Sequence, residues 1–241
     1  MTLTGKVAIV TGGSRGIGRS IARALLERGA HVAITATSDA TLATAAADLA
    51  KVAGAGTLLP IRADVRRPAE VEQAIGSVAQ RFGGIDILVN NAGVGLFRPV
   101  AEMSVDEWHQ IIDTNLSGVF YCCRSVLPHL RARGGGWIIN ISSLAGKNAF
   151  PEAAAYCASK AGLNAFSEAL MQEVRHDGIR VAYVMPGSVR TEFTGRIAGG
   201  GDEWKLSPDD VAQVVSDLIA HPSRSLPSRV ELRPSRPPRK G

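Results

Sequence analysis

The sequence predicts an α/β protein with a doubly wound parallel sheet of about seven strands, flanked by helices on both faces. Short runs rich in Val and Ile alternate with longer stretches of helical period, which is the rhythm of βαβ units. The short runs are almost wholly apolar, as expected for strands covered by helices on both sides. No linker or internal repeat interrupts this alternation. We therefore expect one domain over residues 1–235 and a basic, Pro-rich tail at 236–241.

The elements follow one another without gaps. In the first half, strands are expected at 6–11, 31–37, 57–63 and 85–90, with helices at 16–28, from about 39, and at 68–82. Asp39 directly precedes an Ala-rich run and is expected to N-cap the second helix. In the second half, one long helix over 105–130 and another over 151–176 alternate with strands at 136–142 and 179–185. A helix from about 208 and an edge strand at 228–233 complete the sheet.

The charge distribution restricts the partners. The chain carries a formal charge of +5, and the segment from Pro222 onward accounts for all of it, so the body is neutral. A nucleic-acid-binding fold needs a basic face, and a membrane span needs a long apolar run, so neither partner is expected. The three cysteines lack metal or disulfide spacing, and no leader is visible, which indicates a reducing, cytoplasmic location.

A glycine turn follows the first strand and leads directly into a helix. Its spacing is T-G-x-x-x-G-x-G, at residues 11–18. A helix N-terminus behind a glycine turn presents free N–H groups to a phosphate, so this is a candidate dinucleotide site in a single-domain Rossmann fold. Glycines that serve only a tight turn are the alternative.

The end of the second strand favours NADP(H) over NAD(H). An NAD site places an acid there to accept from the ribose 2′-hydroxyl, whereas this strand ends in Ala36, Thr37 and Ser38. Arg15 in the glycine turn offers a guanidinium to a 2′-phosphate, with Thr37 and Ser38 opposite. An ordinary exposed arginine is the alternative.

Tyr156 and Lys160 lie four residues apart on a predicted helix and share one face. An ammonium about 4 Å from the phenol would lower the tyrosine pKa by the roughly 3 units that proton transfer near neutrality needs. The bare pair is also common on helices as an exposed aromatic and basic residue, so the pair gains weight only from its context.

That context is a series of motifs in order: Thr11 to Gly18, Asp64-Val65, Asn90-Asn91-Ala92-Gly93, Asn115, Ser142-Ser143, Tyr156 to Lys160, and Pro186-Gly187. Over residues 4–192 this series resembles the short-chain dehydrogenase/reductase family, specifically its NADP-using 3-oxoacyl-carrier-protein reductase branch. The resemblance implies an oxidoreductase that moves a hydride between NADP(H) and a carbonyl or alcohol.

The resemblance also implies roles for individual residues. Ser143 matches the serine that orients the carbonyl, Tyr156 the proton donor, and Lys160 the residue that stabilises the tyrosinate and binds the nicotinamide ribose. Asn115 matches the asparagine that holds a water next to the lysine, while Ser142 becomes a structural neighbour. The residues expected to bind the coenzyme are Gly12, Ser14, Arg15, Gly16, Ile17, Gly18, Thr37, Ser38, Asp64, Val65, Asn91, Ala92, Gly93, Tyr156, Lys160, Pro186, Gly187, Val189 and Thr191. No metal is expected, since the five histidines show no ligand spacing.

The substrate stays open between an acyl thioester, with an acyl carrier protein as partner, and a small carbonyl or alcohol such as a sugar, polyol or cyclic ketone. Arg131, Arg133 and Arg175 would favour the carrier protein if they lie at the mouth of the cleft. A coenzyme-binding scaffold without turnover is the third hypothesis. The glycine-broken segment 186–208 is expected to form a mobile substrate lid. Ala- and Ser-rich helix faces around Asn115 and Tyr156 predict a homo-oligomer, a dimer or a tetramer.

Overall fold

The computed structural model describes residues 2–52, 54, 56–191, 193 and 201–238. Its centre is a parallel sheet of seven strands in the order β3-β2-β1-β4-β5-β6-β7. The strands are β1 Val7–Thr11, β2 His31–Ala36, β3 Leu58–Arg62, β4 Ile87–Asn90, β5 Gly136–Ile141, β6 Ile179–Pro186 and β7 Arg229–Leu232. The predicted α/β architecture and its seven strands are therefore confirmed, including the edge strand.

Helices cover both faces of the sheet. They are α1 Gly16–Glu27, α2 Asp39–Ala50, α3 Pro68–Phe82, α4 Val105–Ile112, α5 Gly118–Ala132, α6 Ala154–Val174 and α7 Pro208–Ala220. One core layer packs α1, α2 and α7 against the sheet, and the other packs α3, α5 and α6 against its opposite face. Within the described part of the chain, no helix has the length and apolar character needed to cross a membrane.

Two local predictions were wrong. The long helix expected over 105–130 is two α-helices joined by a π-helical turn, Asp113–Ser117, which carries Asn115. The N-cap of α2 is Ser38, whose hydroxyl accepts from the Thr41 N–H at 3.4 Å, while Asp39 lies in the first helical turn. Serine and aspartate are equally good caps, so the position of the last extended residue decides which of them serves.

From β1 the sheet extends through β2 to β3 on one side and from β4 to β7 on the other. The strand order therefore reverses between β1 and β4, and the crevice of the fold opens at the carboxyl ends of these strands. Arg131, Arg133 and Arg175 lie at the opposite edge, where α5 and α6 end. Arg131 pairs with Asp177 at 2.7 Å, and Arg133 pairs at 3.1 Å with Asp86, which precedes β4. The expectation that these arginines border the cleft was wrong, because a helix in a βαβ unit runs antiparallel to its strands.

β7 is part of the sheet, whereas the segment after Arg236 is expected to be peripheral. Val230 and Leu232 pack against the core layer of α1 and α7, and Leu232 accepts a hydrogen bond from the Gly187 N–H at 2.8 Å. Truncation after Arg236 should change the melting temperature by less than about 2 °C and leave coenzyme affinity intact. Removal of residues 229–241 should lower it by about 5 °C or more, since about 2 kcal/mol of burial is lost. Thermal unfolding of both truncations measures the difference, and a large effect of the shorter deletion would place the tail in the fold.

Candidate active site

The glycine turn between β1 and α1 brings backbone unusually close to backbone. Gly12 and Gly16 have φ angles of +63° and +51°, which favour glycine. A Cβ on Gly18 would overlap the side-chain nitrogen of Asn91 and the carbonyl oxygen of Gly12. The N-terminus of α1 has neither a side-chain cap nor an acidic residue in its first turn, so its N–H groups remain available to an anion. The turn therefore fits a coenzyme diphosphate.

Asn91 closes this turn from the neighbouring strand. Its amide nitrogen donates to the carbonyls of Thr11 and Gly12 at 3.0 and 3.1 Å. The Thr11 hydroxyl accepts from the N–H groups of Asn91 and Ala92, both at 3.0 Å. The end of β4 is thereby held against the end of β1, which positions the segment from Asn91 to Gly93 beside the glycine turn.

The region expected to hold the 2′-phosphate lies at the ends of β2 and β3. Arg15 is exposed, and Thr37 and Ser38 follow β2. Arg62 also lies here and was missed: its Nε donates to the Thr37 carbonyl at 3.3 Å. β2 and β3 pair so that Ala36 lies opposite Arg62, which brings Arg62 next to Thr37. Aligning the predicted carboxyl ends of these two strands would have revealed Arg62 from the sequence.

Asp64 and Val65, two of the residues expected to bind the coenzyme, lie just after the end of β3. The Arg66 guanidinium binds the Asp64 carboxylate at 2.6 Å and holds its pKa below the ordinary value. The Asp64 N–H donates to Glu70 at 2.9 Å. Val65 is buried and packs against Gly118, where any Cβ would meet its side chain. Both residues are thus held rigidly at the carboxyl edge of the sheet.

Three elements bring the expected catalytic residues together. Tyr156 and Lys160 come from α6, and Ser143 follows β5 as the N-cap of a short 3₁₀ turn, Leu144–Gly146. The Lys160 Nζ lies 5.9 Å from the centre of the Tyr156 ring and donates to the Ile141 carbonyl at 2.9 Å. The adjacent Ser142 instead donates to Asn164 at 2.6 Å, which fits the structural role expected for it.

Asn115 links the segment after β4 to α6. Its Oδ1 accepts from the Val94 N–H at 2.8 Å, and its Nδ2 donates to the Val94 carbonyl at 2.9 Å and to the Ser159 hydroxyl at 3.1 Å. A Cβ on Gly93 would stand 3.3 Å from Asn115 and 3.8 Å from the Lys160 Nζ. Asn115 on the π-helical turn and Lys160 on α6 therefore both lie next to Gly93.

The segment after β6 reaches back to the glycine turn. Pro186 ends the strand, Val189 forms a bridge with Leu206, and the Thr191 methyl lies 3.3 Å from where a Gly16 Cβ would stand. Pro186, Gly187, Val189 and Thr191 thus border the same crevice as the phosphate site. Residues 192 and 194–200 of the expected lid lie outside the described residues.

Comparison with known proteins agrees with this geometry. A sequence model described as short chain dehydrogenase matches residues 6–200. The chain belongs to the short-chain dehydrogenase family. An uncharacterized oxidoreductase of Staphylococcus aureus (strain MRSA252) is 33% identical over 232 residues, which cover 96% of this chain and 98% of that protein. As a member of this family, the chain is an NAD(P)-dependent oxidoreductase that acts on CH–OH groups.

Two solved structures resemble this short-chain dehydrogenase over nearly their whole length. A metagenomic short-chain oxidoreductase in complex with NADP is 36% identical, with a TM-score of 0.86, and the match covers 98% of this chain and 100% of that one. An alcohol dehydrogenase from the archaeon Thermococcus sibiricus, complexed with 5-hydroxy-NADP, is 32% identical, with a TM-score of 0.89 and coverage of 98% and 99%.

Burial governs the proton affinities of Tyr156 and Lys160 in this dehydrogenase. It lowers the pKa of Lys160 to about 8 and raises the pKa of Tyr156 above its ordinary value, although a hydrogen bond with Ser143 acts against the rise. The expected lowering of the tyrosine pKa by the lysine was therefore wrong for the protein alone. Lys160 donates to the Ile141 carbonyl rather than to the phenol, and burial disfavours the charged form of both side chains.

The sequence reasoning included Phe193 in the expected lid but missed two other aromatic residues near Tyr156, Phe97 and Phe150. The rings of Phe97 and Phe193 lie 5.6 and 5.8 Å from the Tyr156 ring, and Phe150 lies 5.6 Å from Phe97. They lie on separate segments without a common motif, so only a known loop arrangement would have revealed them.

The buried Lys160 ammonium should leave a pH signature in stability. Its pKa falls from 10.5 to about 8 on folding, so the unfolded chain binds more protons between these values and wild-type stability gains with rising pH. The free energy of unfolding of wild type relative to Lys160→Met should rise by about 3 kcal/mol from pH 7 to pH 10.5. Denaturant unfolding at a series of pH values measures it. A difference between the two proteins that does not change with pH would contradict the burial of a titrating lysine.

Proposed function

We propose that this short-chain dehydrogenase transfers a hydride between NADP(H) and a carbonyl or alcohol substrate, with Tyr156, Ser143 and Lys160 in the chemical step. The observation that carries the proposal is their convergence at the carboxyl edge of the sheet, beside a glycine turn that fits a diphosphate. The two similar solved structures, described with NADP and 5-hydroxy-NADP, support the choice of coenzyme.

The coenzyme would lie across the carboxyl ends of β1, β4 and β5. Its diphosphate would face the glycine turn and the α1 N-terminus, from Gly12 to Gly18. Its 2′-phosphate would lie beside Arg15, Thr37 and Ser38, and its adenine would lie beside Asp64 and Val65. The riboses would face the segment Asn91 to Gly93 and the side chains of Tyr156 and Lys160. The nicotinamide would face the segment from Pro186 to Thr191. When bound, the nicotinamide supplies or accepts the hydride.

The protein contributes the proton and the fixed donors. In the reducing direction, the Tyr156 hydroxyl would give its proton to the carbonyl oxygen while the bound coenzyme would supply the hydride to the carbonyl carbon. The C=O double bond thereby becomes a C–O single bond, with one new O–H bond and one new C–H bond. Ser143 donates to the same oxygen and meets the charge that develops on it. Lys160 stabilises the tyrosinate. In its family role, Asn115 would hold a water next to Lys160, and this water would help to replace the proton that Tyr156 has given up.

The raised pKa of Tyr156 suits a proton donor. A phenol buried among apolar neighbours stays protonated across the neutral range, so it is ready to give its proton to a substrate oxygen that becomes basic as hydride arrives. The oxidation of an alcohol needs the tyrosinate instead, which burial disfavours.

Two substrate classes follow from the sequence. The 3-oxoacyl thioester rests on the resemblance alone, because the arginines that would receive a carrier protein lie at the opposite edge of the sheet. A small carbonyl compound is favoured by the aromatic residues that surround Tyr156. A scaffold without turnover would not need the convergence of the tyrosine, serine and lysine.

Assembly and location follow from two further features. Homo-oligomerisation is supported by Phe120, Val105 and Trp108, exposed apolar side chains on the helices before and after the π-helical turn. A cytoplasmic location is supported by three free thiols, Cys122, Cys123 and Cys157.

The coenzyme preference should depend on the arginines near the 2′-phosphate. NADPH should bind at least tenfold more tightly than NADH, and Arg15→Ala should reduce that preference by about 10- to 100-fold, the usual loss for a charged hydrogen bond. Arg62→Ala should reduce it less, because its Nε already serves the Thr37 carbonyl. Arg131→Ala, at the opposite edge, is the matched control. Fluorescence titration with both coenzymes tests this, and equal affinities in the wild type would show that the pocket does not read the phosphate.

The proton chemistry should fail selectively. Tyr156→Phe should lower kcat by about 10²- to 10⁴-fold and leave NADPH affinity nearly unchanged, since it removes only one oxygen. Ser143→Ala should lower kcat by about 10²- to 10³-fold, whereas Ser142→Ala should have far less effect. Lys160→Ala should weaken both NADPH binding and turnover. Steady-state kinetics and titration separate these effects, and wild-type turnover by Tyr156→Phe would sink the catalytic assignment.

A further inference from the structure

Two phenylalanines from separate segments, Phe97 and Phe193, lie against the ring of Tyr156, and a third, Phe150, packs on Phe97. The Phe97 ring stands at 89° to the Tyr156 ring, the Phe193 ring at 61° to it, and the Phe150 ring at 60° to Phe97. Edge-to-face geometry at these separations is the favoured arrangement of aromatic rings. Phe97, Phe150 and Phe193 are called the phenyl cluster below.

The phenyl cluster is exposed where a core would bury it. Its members keep 36%, 46% and 38% of their surface accessible, while Tyr156 beneath them keeps 8%. Converging rings that remain half open mark a binding surface rather than a core. Because the cluster touches the proton donor itself, whatever is attached to the substrate carbonyl must lie against these rings.

The two loops that carry Phe97 and Phe150 are tied together. The Arg98 N–H donates to the Glu152 carbonyl at 2.7 Å, and the Arg98 guanidinium binds Glu107 at 2.7 Å. Polar groups at this rim thus already satisfy one another. A substrate rich in hydroxyl groups would compete with these bonds, whereas an apolar substituent would leave them intact.

Gly95 provides the space for the third ring. A Cβ on Gly95 would overlap the Phe193 ring, yet the backbone of Gly95 lies outside the left-handed region that demands glycine. Gly95 is therefore needed so that the Phe193 ring can approach closely, and not for its own backbone conformation. An alanine at this position would adopt the backbone readily and displace the ring.

We propose that the site is specific for ketones whose carbonyl carries an aromatic ring, which the phenyl cluster holds against Tyr156. The proposal rests on the oxidoreductase function proposed above and names its substrate class. A ring packs among these phenylalanines as they pack with one another, and its burial removes apolar surface from water without stranding a hydroxyl group. Sugars, polyols and acyl thioesters carry no aromatic ring on the carbonyl that could pack in this way.

The first experiment compares probes with the full-length protein and NADPH. The kcat/KM for acetophenone should exceed those for 2-butanone, dihydroxyacetone and acetoacetyl-CoA by about 10²-fold, since a single methylene already discriminates about tenfold or more. Faster reduction of dihydroxyacetone or acetoacetyl-CoA overturns the proposal and leaves the oxidoreductase function standing. No NADPH oxidation with any carbonyl, despite NADPH binding, contradicts the function and the proposal together.

The second experiment tests the cluster through the ratio of kcat/KM for acetophenone to that for 2-butanone. A change in folding or assembly affects both substrates alike and cancels. Phe97→Ala and Phe150→Ala should each lower the ratio about tenfold, and Phe97→Leu should restore much of it. Phe120→Ala is the matched control, because that ring is equally exposed but lies against Tyr121. An unchanged ratio in Phe97→Ala and Phe150→Ala overturns the proposal.

A double-mutant cycle isolates the third ring. Gly95→Ala and Phe193→Ala should each lower the ratio, and the double variant should be no worse than the poorer single variant, because both act by removing the same ring from the site. Additive losses would show that the two residues act independently, so that Gly95 does not serve to make room for the Phe193 ring.

Discussion

The amide of Asn91 is the interaction on which the coenzyme side of the site depends. It donates to two successive backbone carbonyls of the glycine turn and so joins β1 to β4 at the point where the strand order reverses. Gly18 must lack a side chain for this contact to form. The result is an open helix N-terminus at a fixed distance from the segment Asn91 to Gly93. An anion site of this kind needs no charged side chain, since the backbone itself supplies the donors.

The catalytic side depends on a different constraint, the burial of a lysine beside a phenol. Lys160 is held by the Ile141 carbonyl, and Asn115 fixes Val94 and Ser159 around it. The cost of burying this ammonium is met within the fold, which is typical of residues kept for function rather than stability. A buried phenol that holds its proton is matched to the donation of that proton, so the same desolvation that penalises the lysine prepares the tyrosine.

Substrate selection is separate from both. Coenzyme residues and proton-transfer residues come from the ends of the strands and from α6, which the fold positions rigidly. The phenyl cluster comes from the loops that follow β4, β5 and β6. Loops of this kind can vary without disturbing the sheet. The chemistry is therefore a property of the scaffold, while the class of carbonyl compound is a property of a few side chains laid over it.

The sequence by itself determined the sheet, because apolar runs of strand length alternate with helical stretches and no other packing buries them all. It also determined which residues stand at the carboxyl ends of the strands, and motif spacing predicted catalytic roles for Tyr156, Lys160 and Ser143. The tertiary structure alone decided what those residues touch. Arg62 reaches Thr37 through strand pairing, Ser38 rather than Asp39 caps α2, and Lys160 bonds to Ile141 instead of the phenol. The arginines at the ends of α5 and α6 lie away from the crevice. Phe97 and Phe193, far apart in the chain, meet at the ring of Tyr156, and Phe150 packs on Phe97. Burial and contacts between distant segments depend on how loops close in three dimensions, which local periodicity does not encode.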